Sequence, residues 1–267
     1  MKKTGTEERW DNYIKANSEK PDARDNELKK IFSLINPREG EKIWELGTGN
    51  GCLTMPIAEA VGKTGEIITT DVFKGNIDSV VKKNRKLKLN IDAKLLPIDS
   101  PLLPVNPKEK FDAIVSIVTF HHFDNRKENT GEKGRVAALR RFYASLRKGG
   151  RLVLADGMDG TITQRYFDAI NNPIHCYPDG HPHEFISKKR LHNLLKKIGF
   201  KDISIKIEYV PWKFESEAEG AKFVHTIHNA KCSAKESFRI AKDMLGFKKV
   251  EDKYELGWEL FFLTAEK

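Results

Sequence analysis

Short apolar runs alternate with helical patterns along most of the chain, which indicates an α/β fold with a mostly parallel sheet. One run, FDAIVSIVTF, is almost entirely apolar, as expected for a strand that is buried on both faces of such a sheet. The runs predicted to be strands are, in order, KIWEL, EIITTD, DAKLLPID, FDAIVSIVTF, RLVLAD, DISIKIEYV and YELGWELFFLTAE.

Helices are predicted between these strands by apolar residues at helical spacing and by residues that end helices. DNELKKIFSLI stops at Asn36, LTMPIAEAVG is ended by Gly62, and GNIDSVVKKNRKL follows the second strand. RVAALRRFYASLRKGG is predicted as a helix closed by Gly149 and Gly150, and SKKRLHNLLKKIGF has Gly199 beyond its end.

Two stretches interrupt this alternation, residues 157–185 and residues 211–250. The second is predicted to form two helices, since Ser216 and Ser233 are each followed three positions later by a glutamate, the pattern of a capping box. Insertions of this size usually build a lid or substrate wall. We expect one domain over residues 1–267, with both insertions forming a substrate lid.

The composition is that of a globular protein, with 39% apolar and 32% charged residues among 267. No secretory signal or membrane-spanning run is indicated, and the three cysteines form no CxxC pair, so a reducing, cytoplasmic location is expected. The net charge of +9 favours an anionic partner only slightly, because lysine and glutamate are interspersed. Such partners include RNA, a phosphorylated metabolite or an acidic carrier protein.

The first strand leads into a turn with glycine at every second position, Gly47, Gly49 and Gly51. Bare backbone lets a ligand approach the peptide plane, and the N-terminus of the following helix favours a carboxylate or phosphate. Cys52 stands where the longer glycine pattern of dinucleotide enzymes continues, so the spacing disfavours a nicotinamide dehydrogenase. At the end of the second strand, Asp71 is placed to accept both hydroxyls of a ribose.

Taken together, these residues resemble the class I S-adenosylmethionine-dependent methyltransferases. The first motif of that family matches Glu45 to Gly51, its ribose-binding acid matches Asp71, and its adenine-contacting acid matches Asp99, which is followed by Ser100. KFDAIVSIVTFHHF looks like the fourth-strand motif, and LRKGGRLVLAD resembles the L-K-P-G-G signature without its proline. The resemblance covers the core from about residue 39 to 156 and the final helix and strands.

The resemblance implies a Rossmann-like seven-stranded sheet with helices on both faces, its last strand antiparallel and a helical insertion before that strand. It implies S-adenosyl-L-methionine as cofactor, S-adenosyl-L-homocysteine as product, and an N-terminal helix, residues 7–20, that covers the cofactor. The cofactor-binding residues it implies are Glu45, Gly47, Thr48, Gly49, Asn50, Gly51, Asp71, Val72, Asp99, Ser100 and Ile117.

Each of these residues also has a purely structural interpretation. The glycines can form a tight turn without a ligand, although three spaced glycines carry an entropic cost that a plain turn does not require. Asp71 and Asp99 can each cap a turn or helix, and Glu45 can simply orient the glycine turn. The whole set favours cofactor contact for the two aspartates and leaves both roles open for Glu45.

Methyl transfer from a sulfonium requires alignment and exclusion of water, and it needs a general base only when the acceptor arrives protonated. His121 and His122 follow the fourth strand at its carboxyl end, where open α/β sheets bind ligands, and are the candidate catalytic residues. Histidine at this place can equally shape the loop.

The insertions contribute further candidates. The first carries His175, Cys176, His181, His183 and Glu184, but no ligand spacing completes a metal site, and none is predicted. Trp212 is predicted to line a pocket. In the N-terminal helix, Trp10 and Tyr13 are three residues apart and share one face. The residues predicted to line the substrate pocket are Tyr13, Tyr166, His225 and His228.

Three functions remain open. The leading hypothesis is methyl transfer to a small molecule, or to an acyl group on a carrier, because the insertions surround the substrate side. An RNA methyltransferase is the alternative, although SIVTFHH lacks both the Asn/Asp-Pro-Pro-aromatic turn and the Pro-Cys of base-modifying enzymes. The third hypothesis is a non-catalytic cofactor-binding partner protein. No membrane partner is expected.

Overall fold

The computed structural model describes residues 5–96, 110–123, 132–176 and 184–267. The helices in these ranges are α1 (Gly5–Glu19), α2 (Asp25–Ile35), α3 (Thr54–Val61), α4 (Lys74–Leu87), α5 (Glu132–Ser145), α6 (Ile162–Ile170), α7 (Lys188–Ile198), α8 (Glu217–Ile227) and α9 (Ala234–Leu245). The strands are β1 (Lys42–Leu46), β2 (Glu66–Asp71), β3 (Ile91–Leu95), β4 (Phe111–Ile117), β5 (Leu146–Asp156), β6 (Lys201–Tyr209), β7 (Trp212–Phe214), β8 (Phe247–Val250), β9 (Lys253–Leu256) and β10 (Glu259–Glu266).

Seven of the strands form one sheet in the order β3-β2-β1-β4-β5-β10-β6. The pairs among β1 to β5 are parallel, and β10 is antiparallel to both of its neighbours. This confirms the predicted Rossmann-like α/β sheet, its antiparallel last strand and the helical insertion before it. The strand order reverses between β1 and β4, and ligands of open α/β sheets bind at the carboxyl ends of strands at such a point.

Successive residues of the central strands face two different cores. In β1, Ile43 belongs to the core under α2 and α3, whereas Trp44 belongs to the core under α5 and α7. In β4, Val115 belongs to the core under α2 and α3, and Ile114 to the core under α5 and α7. The residues of β4 from 111 to 116 are all buried, which explains why its sequence is apolar without alternation.

The second insertion forms the two predicted helices, α8 and α9, but also a small sheet that the sequence pattern missed. Ser216 accepts from the backbone N–H of Glu219, and Ser233 from that of Glu236, both at 3.2 Å, so each cap forms as predicted. Strands β7, β9 and β8 pair in that order. Each has only three or four residues, too few for alternation to stand out.

The single long strand predicted from YELGWELFFLTAE is wrong. The chain divides there into β9, in the small sheet, and β10, in the central sheet. A Cβ on Gly257, between the two strands, would overlap the carbonyl oxygen of Leu245, so only glycine allows the chain to cross α9 at this point.

The predicted helix ending at Gly149 and Gly150 is also too long. Helix α5 ends at Ser145, and the next residue, Leu146, already pairs with Phe111 of β4. Backbone bonds of 3.1 and 3.0 Å join Gly149 and Gly150 to Lys267 at the end of β10. Long-range strand pairing therefore overrides the local helical pattern in these residues.

Candidate functional site

The glycine turn joins β1 to α3 along a backbone path that favours glycine. Gly47, Gly49 and Gly51 have φ angles of 78°, 52° and 82°. A Cβ on Gly47 would overlap Thr119 Oγ1, and one on Gly51 would lie 3.0 Å from Val80 Cγ2. Packing within the protein therefore explains the first and third glycines, and the middle one packs against helix α1.

Helix α1 lies over this turn. A Cβ on Gly49 would be 3.3 Å from Tyr13 Cε1. The ring of Trp10, one turn earlier, stacks on Phe73 with centroids 6.1 Å apart and meets His122 edge-on at 6.2 Å. The helix thus lies over the carboxyl ends of β2 and β4 as well as the turn. That it covers a bound cofactor, as the family resemblance implies, stays a prediction.

Asp71 connects the turn to helix α4. Its Oδ2 accepts hydrogen bonds from Gly49 N at 3.1 Å and Asn76 Nδ2 at 3.0 Å, and its Oδ1 accepts from Phe73 N at 2.9 Å. Burial raises the pKa of Asp71, while these bonds oppose that shift. A carboxylate has about four acceptor positions, so new bonds to a ribose would use what these three leave or would replace one of them.

Glu45 lies beneath the turn and is almost completely buried, with 1% of its surface exposed. Its Oε2 accepts from Thr54 Oγ1 at 2.6 Å and Thr69 Oγ1 at 2.5 Å, and Thr48 Oγ1 lies 2.7 Å from the same Thr54 oxygen. Burial raises the pKa of Glu45 to about 7, against the effect of the threonine hydroxyls. This arrangement orients the turn and the start of α3.

The other predicted cofactor residues divide into two groups. Asn50 belongs to the turn, and its carbonyl accepts from Lys83 Nζ at 2.6 Å. Val72 directly follows β2, and Ile117 is the last residue of β4. Asp99 and Ser100 lie outside the described residues, so their predicted contact with adenine stays a prediction.

The residues present fit an adenosyl sulfonium compound. The seat combines a glycine turn whose middle glycine faces α1, a buried carboxylate at the end of β2, and a cover of aromatic side chains, which suits a ligand with a ribose and a planar base. Asp71 would hold the ribose, and the turn would lie against the amino-acid part of the ligand.

The two candidate catalytic histidines have different surroundings. His121 is buried, and Asp156 binds both its backbone N, at 2.9 Å, and its Nδ1, at 2.7 Å. His122 is partly exposed and lies against Trp10. The geometry therefore favours a loop-shaping role for His121 and leaves His122 as the candidate beside the covered site.

A cavity of about 60 Å³ lies beyond the turn, between α1, the end of β4 and the second insertion. Val118, directly after β4, contributes to its wall and has a φ of 50°, which is uncommon for a β-branched residue and is a strained conformation of the kind found at functional sites. The residues that line the cavity are Arg9, Trp10, Tyr13, Arg24, Val118, Phe167, Trp212, Ile227, His228 and Trp258.

The structure brings Tyr13 and His228 of the predicted substrate residues to this cavity. Tyr166 lies behind the wall, its ring 5.1 Å from that of His228, and His225 does not line the cavity. The sequence analysis missed Arg24 and Trp258. An arginine between two helices and a tryptophan in an apparent strand carry no pattern that marks them.

A buried chain of polar contacts connects the cover of the turn to the cavity wall. Arg24 donates from Nη1 to Tyr13 Oη at 2.6 Å and from Nε to Glu27. Glu27 in turn accepts from Trp212 Nε1 at 3.5 Å. Tyr13 over the glycines and Trp212 in the cavity are thus tied to the same ion pair.

The first insertion shows no assembled metal site in the part that the structure describes. His175, Cys176 and Glu184 are placed, whereas His181 and His183 are outside the described ranges. No three or more His, Cys, Asp or Glu side chains among the described residues are grouped so that they could hold a metal ion. None of the helices in these ranges is both long enough and apolar enough to cross a membrane.

The fold and the site together define a domain of the class I methyltransferase type. A family model described as "Methyltransferase domain" matches residues 19–205. The chain therefore belongs to this family, as the resemblance in its motifs predicted, and the family implies S-adenosylmethionine as cofactor.

Curated relatives match only parts of the chain. A tRNA (adenine(57)-N(1)/adenine(58)-N(1))-methyltransferase of Methanocaldococcus jannaschii is 51% identical over 54 residues, which are 20% of this chain and 19% of that protein. A ubiquinone/menaquinone biosynthesis C-methyltransferase of Citrobacter koseri is 32% identical over 123 residues, 45% of this chain and 43% of the relative. The chain thus spans less than half the length of each of these relatives.

Solved structures share the fold over most of the chain. A Bacillus halodurans C-125 protein assigned as a methyltransferase aligns with a TM-score of 0.59 and 13% identity, over 90% of this chain and 98% of that one. The [4+2]-cyclase SpnF aligns with a TM-score of 0.56 and 14% identity, over 91% and 80%. An S-adenosylmethionine-dependent O-methyltransferase of Thermotoga maritima gives 0.51 and 12%, over 90% and 64%. Such identities establish the fold alone.

Proposed function

We propose that the chain is an S-adenosylmethionine-dependent methyltransferase that acts on a small-molecule acceptor. The observation that carries this proposal is the cavity between α1 and the second insertion, which adjoins the covered glycine turn and shares Trp10 and Tyr13 with its cover. An acceptor in that cavity would meet the cofactor at the carboxyl ends of β1 and β4, where such sheets bind their ligands.

When bound, the cofactor supplies a methyl group on a sulfonium that is already a good leaving group. The chain has to hold the ribose with Asp71, align the acceptor and exclude water, and α1 with the second insertion is placed to do the last. His122 remains the candidate proton acceptor, should the acceptor arrive protonated.

An RNA acceptor is the second candidate. It is favoured by the net charge of +9 and by the name of the Methanocaldococcus jannaschii relative. A base of RNA would have to leave its strand to enter the cavity beside α1, whereas a free small molecule would not, which favours the small molecule. An acyl group on an acidic carrier protein is a third form of acceptor that the charge would suit.

A cofactor-binding protein that transfers no methyl group is the last alternative, and one of the fold's solved neighbours is a [4+2]-cyclase. Two measurements separate these cases. Calorimetry with S-adenosylhomocysteine tests whether the cofactor binds at all. Transfer of labelled methyl from S-adenosylmethionine is then measured on a metabolite panel, on acylated carrier protein and on total RNA. Labelling of a small molecule alone is expected, and labelling of RNA alone would overturn the proposal.

A further inference from the structure

Arg24 joins the helix that lies over the glycine turn to the next helix of the chain. It is 4% exposed and lies between α1 and α2. Its Nη1 donates to Tyr13 Oη at 2.6 Å and to Asn17 Oδ1 at 3.4 Å, and both of these residues belong to α1. Its Nε donates to Glu27 of α2, which is fully buried. One buried guanidinium therefore makes bonds to two helices.

The chain on both sides of Arg24 is bonded to the chain on both sides of the first residue of β7. The carbonyl oxygen of Ala23 accepts from Lys213 N at 3.0 Å, and Asn26 Nδ2 donates to the carbonyl oxygen of Pro211 at 2.7 Å. The start of β7 and the start of α2 are thus held together as one unit.

The first residue of β7 is Trp212, whose indole forms part of the cavity wall. Its Nε1 donates to Glu27 Oε2 at 3.5 Å, while the other oxygen of that carboxylate pairs with Arg24. Its ring stacks on that of Trp258, with centroids 4.2 Å apart and 29° between the planes. A change in the position of the ion pair therefore reaches two indoles of the wall.

Tyr13 is the contact between this ion pair and the glycine turn. A Cβ on Gly49 would lie 3.3 Å from Tyr13 Cε1 and 3.4 Å from its Oη, so the ring packs directly on this face of the turn. A cofactor that lies against the same face has to move the ring. The Oη that moves with the ring is the atom that Arg24 binds.

The ion pair transmits such a movement because breaking it is unfavourable. A buried charge that loses its partner is strongly destabilising, so Arg24 and Glu27 stay together when their surroundings change. The guanidinium is also planar, so its Nη1 and Nε keep a fixed relative position. When Nη1 follows Tyr13, Nε moves as well, and the carboxylate that it holds moves against Trp212.

We infer, on the basis of the proposed function, that Arg24 is a positioning residue that makes the shape of the cavity wall depend on whether the cofactor is bound. The cofactor moves Tyr13, Arg24 follows, and Trp212 shifts in the wall through Glu27. Such coupling is reciprocal, so an acceptor that fits the shifted wall raises the affinity for the cofactor by the same factor. The arrangement favours the state in which both ligands of the transfer are present.

The test uses ¹⁹F NMR of the full chain labelled with 5-fluorotryptophan. The chain contains four tryptophans, and their resonances are assigned by replacing each in turn with phenylalanine. S-adenosylhomocysteine is then added to saturation. We expect the resonance of Trp10, which stacks on Phe73 in the cover of the turn, to shift, and that of Trp212 to shift with it.

Tyr13→Phe removes the oxygen that Arg24 binds but keeps the ring on the turn. In this variant the resonance of Trp10 should still shift on saturation, whereas that of Trp212 should lose most of its shift. Tyr143→Phe, which removes the hydroxyl of a tyrosine on α5, is the matched control and should keep both shifts.

Arg24→Lys keeps a positive charge beside Glu27 but lacks the planar fork, so it should also lose the shift of Trp212 while still binding the product. Affinity gives a second measurement. By calorimetry, Trp212→Phe should change the Kd of S-adenosylhomocysteine by at least about threefold in the native chain. In the Tyr13→Phe background the same substitution should have little further effect, because the connection is already cut.

The outcomes separate this inference from the function on which it rests. If calorimetry shows that the product binds but the resonance of Trp212 does not shift, the coupling is wrong and the methyltransferase proposal stands. A shift of Trp212 that survives in both Tyr13→Phe and Arg24→Lys would show that the ligand reaches the indole by another route, and the role of Arg24 falls. If the product fails to bind to the folded native chain, the proposed function falls instead.

Discussion

Asp156 binds His121 at two points: its Oδ2 accepts from the backbone N at 2.9 Å, and its Oδ1 lies 2.7 Å from Nδ1. The same Oδ1 accepts from Gly157 N at 2.7 Å. One carboxylate at the end of β5 thus fixes the loop after β4 and the start of the first insertion. Because the Nδ1 of His121 is occupied in this way, the residue is suited to positioning this loop.

Replacing Asp156 by Ala should therefore act mainly on stability. The substitution leaves three buried donors without their acceptor, and each such loss costs about 1–3 kcal/mol when water cannot reach the group. We expect the free energy of unfolding, measured with urea, to fall by at least about 2 kcal/mol. Asp252→Ala, in an exposed turn, is the control and should change it by less than about 0.5 kcal/mol. Equal stability of the two variants would show that the contacts around His121 are not structural.

Glu45 should make stability depend on pH. Its pKa is about 7 in the folded chain and 4.5 in the absence of the fold, so between these values the folded state binds more protons than the unfolded state. Stability from this residue is therefore greatest below pH 4.5, falls as the pH rises, and levels off above pH 7. The whole change is on the order of 3 kcal/mol.

Glu45→Gln cannot ionise but keeps an oxygen that accepts from the threonines, so it should remove this pH-dependent part of the stability. The measurement is urea unfolding of both proteins at several pH values from 5 to 8, since the difference between them cancels the other titrating groups. If the two curves stay parallel over this range, the carboxylate is not held protonated beneath the turn.

The sequence could predict the parts of the site that lie on one strand-to-helix turn. Gly47, Gly49, Gly51 and Asp71 are close together because adjacent parallel strands end at the same edge, and local spacing is enough to show that. Arg24 and Trp258 could not be found in this way. They reach the cavity through the packing of elements that are distant in sequence, and nothing local distinguishes a buried arginine from a solvated one.

The misassigned elements have the same cause. Residues 146–150 carry a helical pattern, but pairing with Phe111 and Lys267 places them in a strand. The break at Gly257 is set by the passage of α9, whose Leu245 carbonyl leaves no room for a Cβ. In both places a tertiary contact overrides a local preference, as is common where propensities are weak; the contacts of residues 146–150 span more than 30 residues, and that of Gly257 with Leu245 spans 12.

The packing of Gly47 against Thr119 gives a prediction of its own. Gly47→Ala has to place a Cβ on the Thr119 hydroxyl and also adopt a φ of 78°, so it should lower the free energy of unfolding by more than the roughly 1–2 kcal/mol of left-handed strain alone. Gly160→Ala is the matched control, because its φ is 87° and nothing lies within 4 Å of its Cβ. In the double variant Gly47→Ala with Thr119→Ala, the hydroxyl is removed, so part of the lost free energy of unfolding should be recovered. A loss no larger than that of Gly160→Ala would mean that the β4 loop does not pack on the turn.

The last prediction concerns Asp71 and the ribose. Asp71→Asn keeps one oxygen but turns an NH₂ group toward donors such as Gly49 N or Phe73 N, so S-adenosylhomocysteine should bind at least about tenfold more weakly. Asp78→Asn, an exposed residue of α4 paired with Lys74, is the control and should bind normally. Weaker binding could also follow from a disturbed turn, and a double comparison separates the two causes. The native chain should prefer the natural product to its 2′-deoxyribose analogue, and Asp71→Asn should lose that preference. If the variant still distinguishes the two ligands as strongly as the native chain does, another residue holds the ribose.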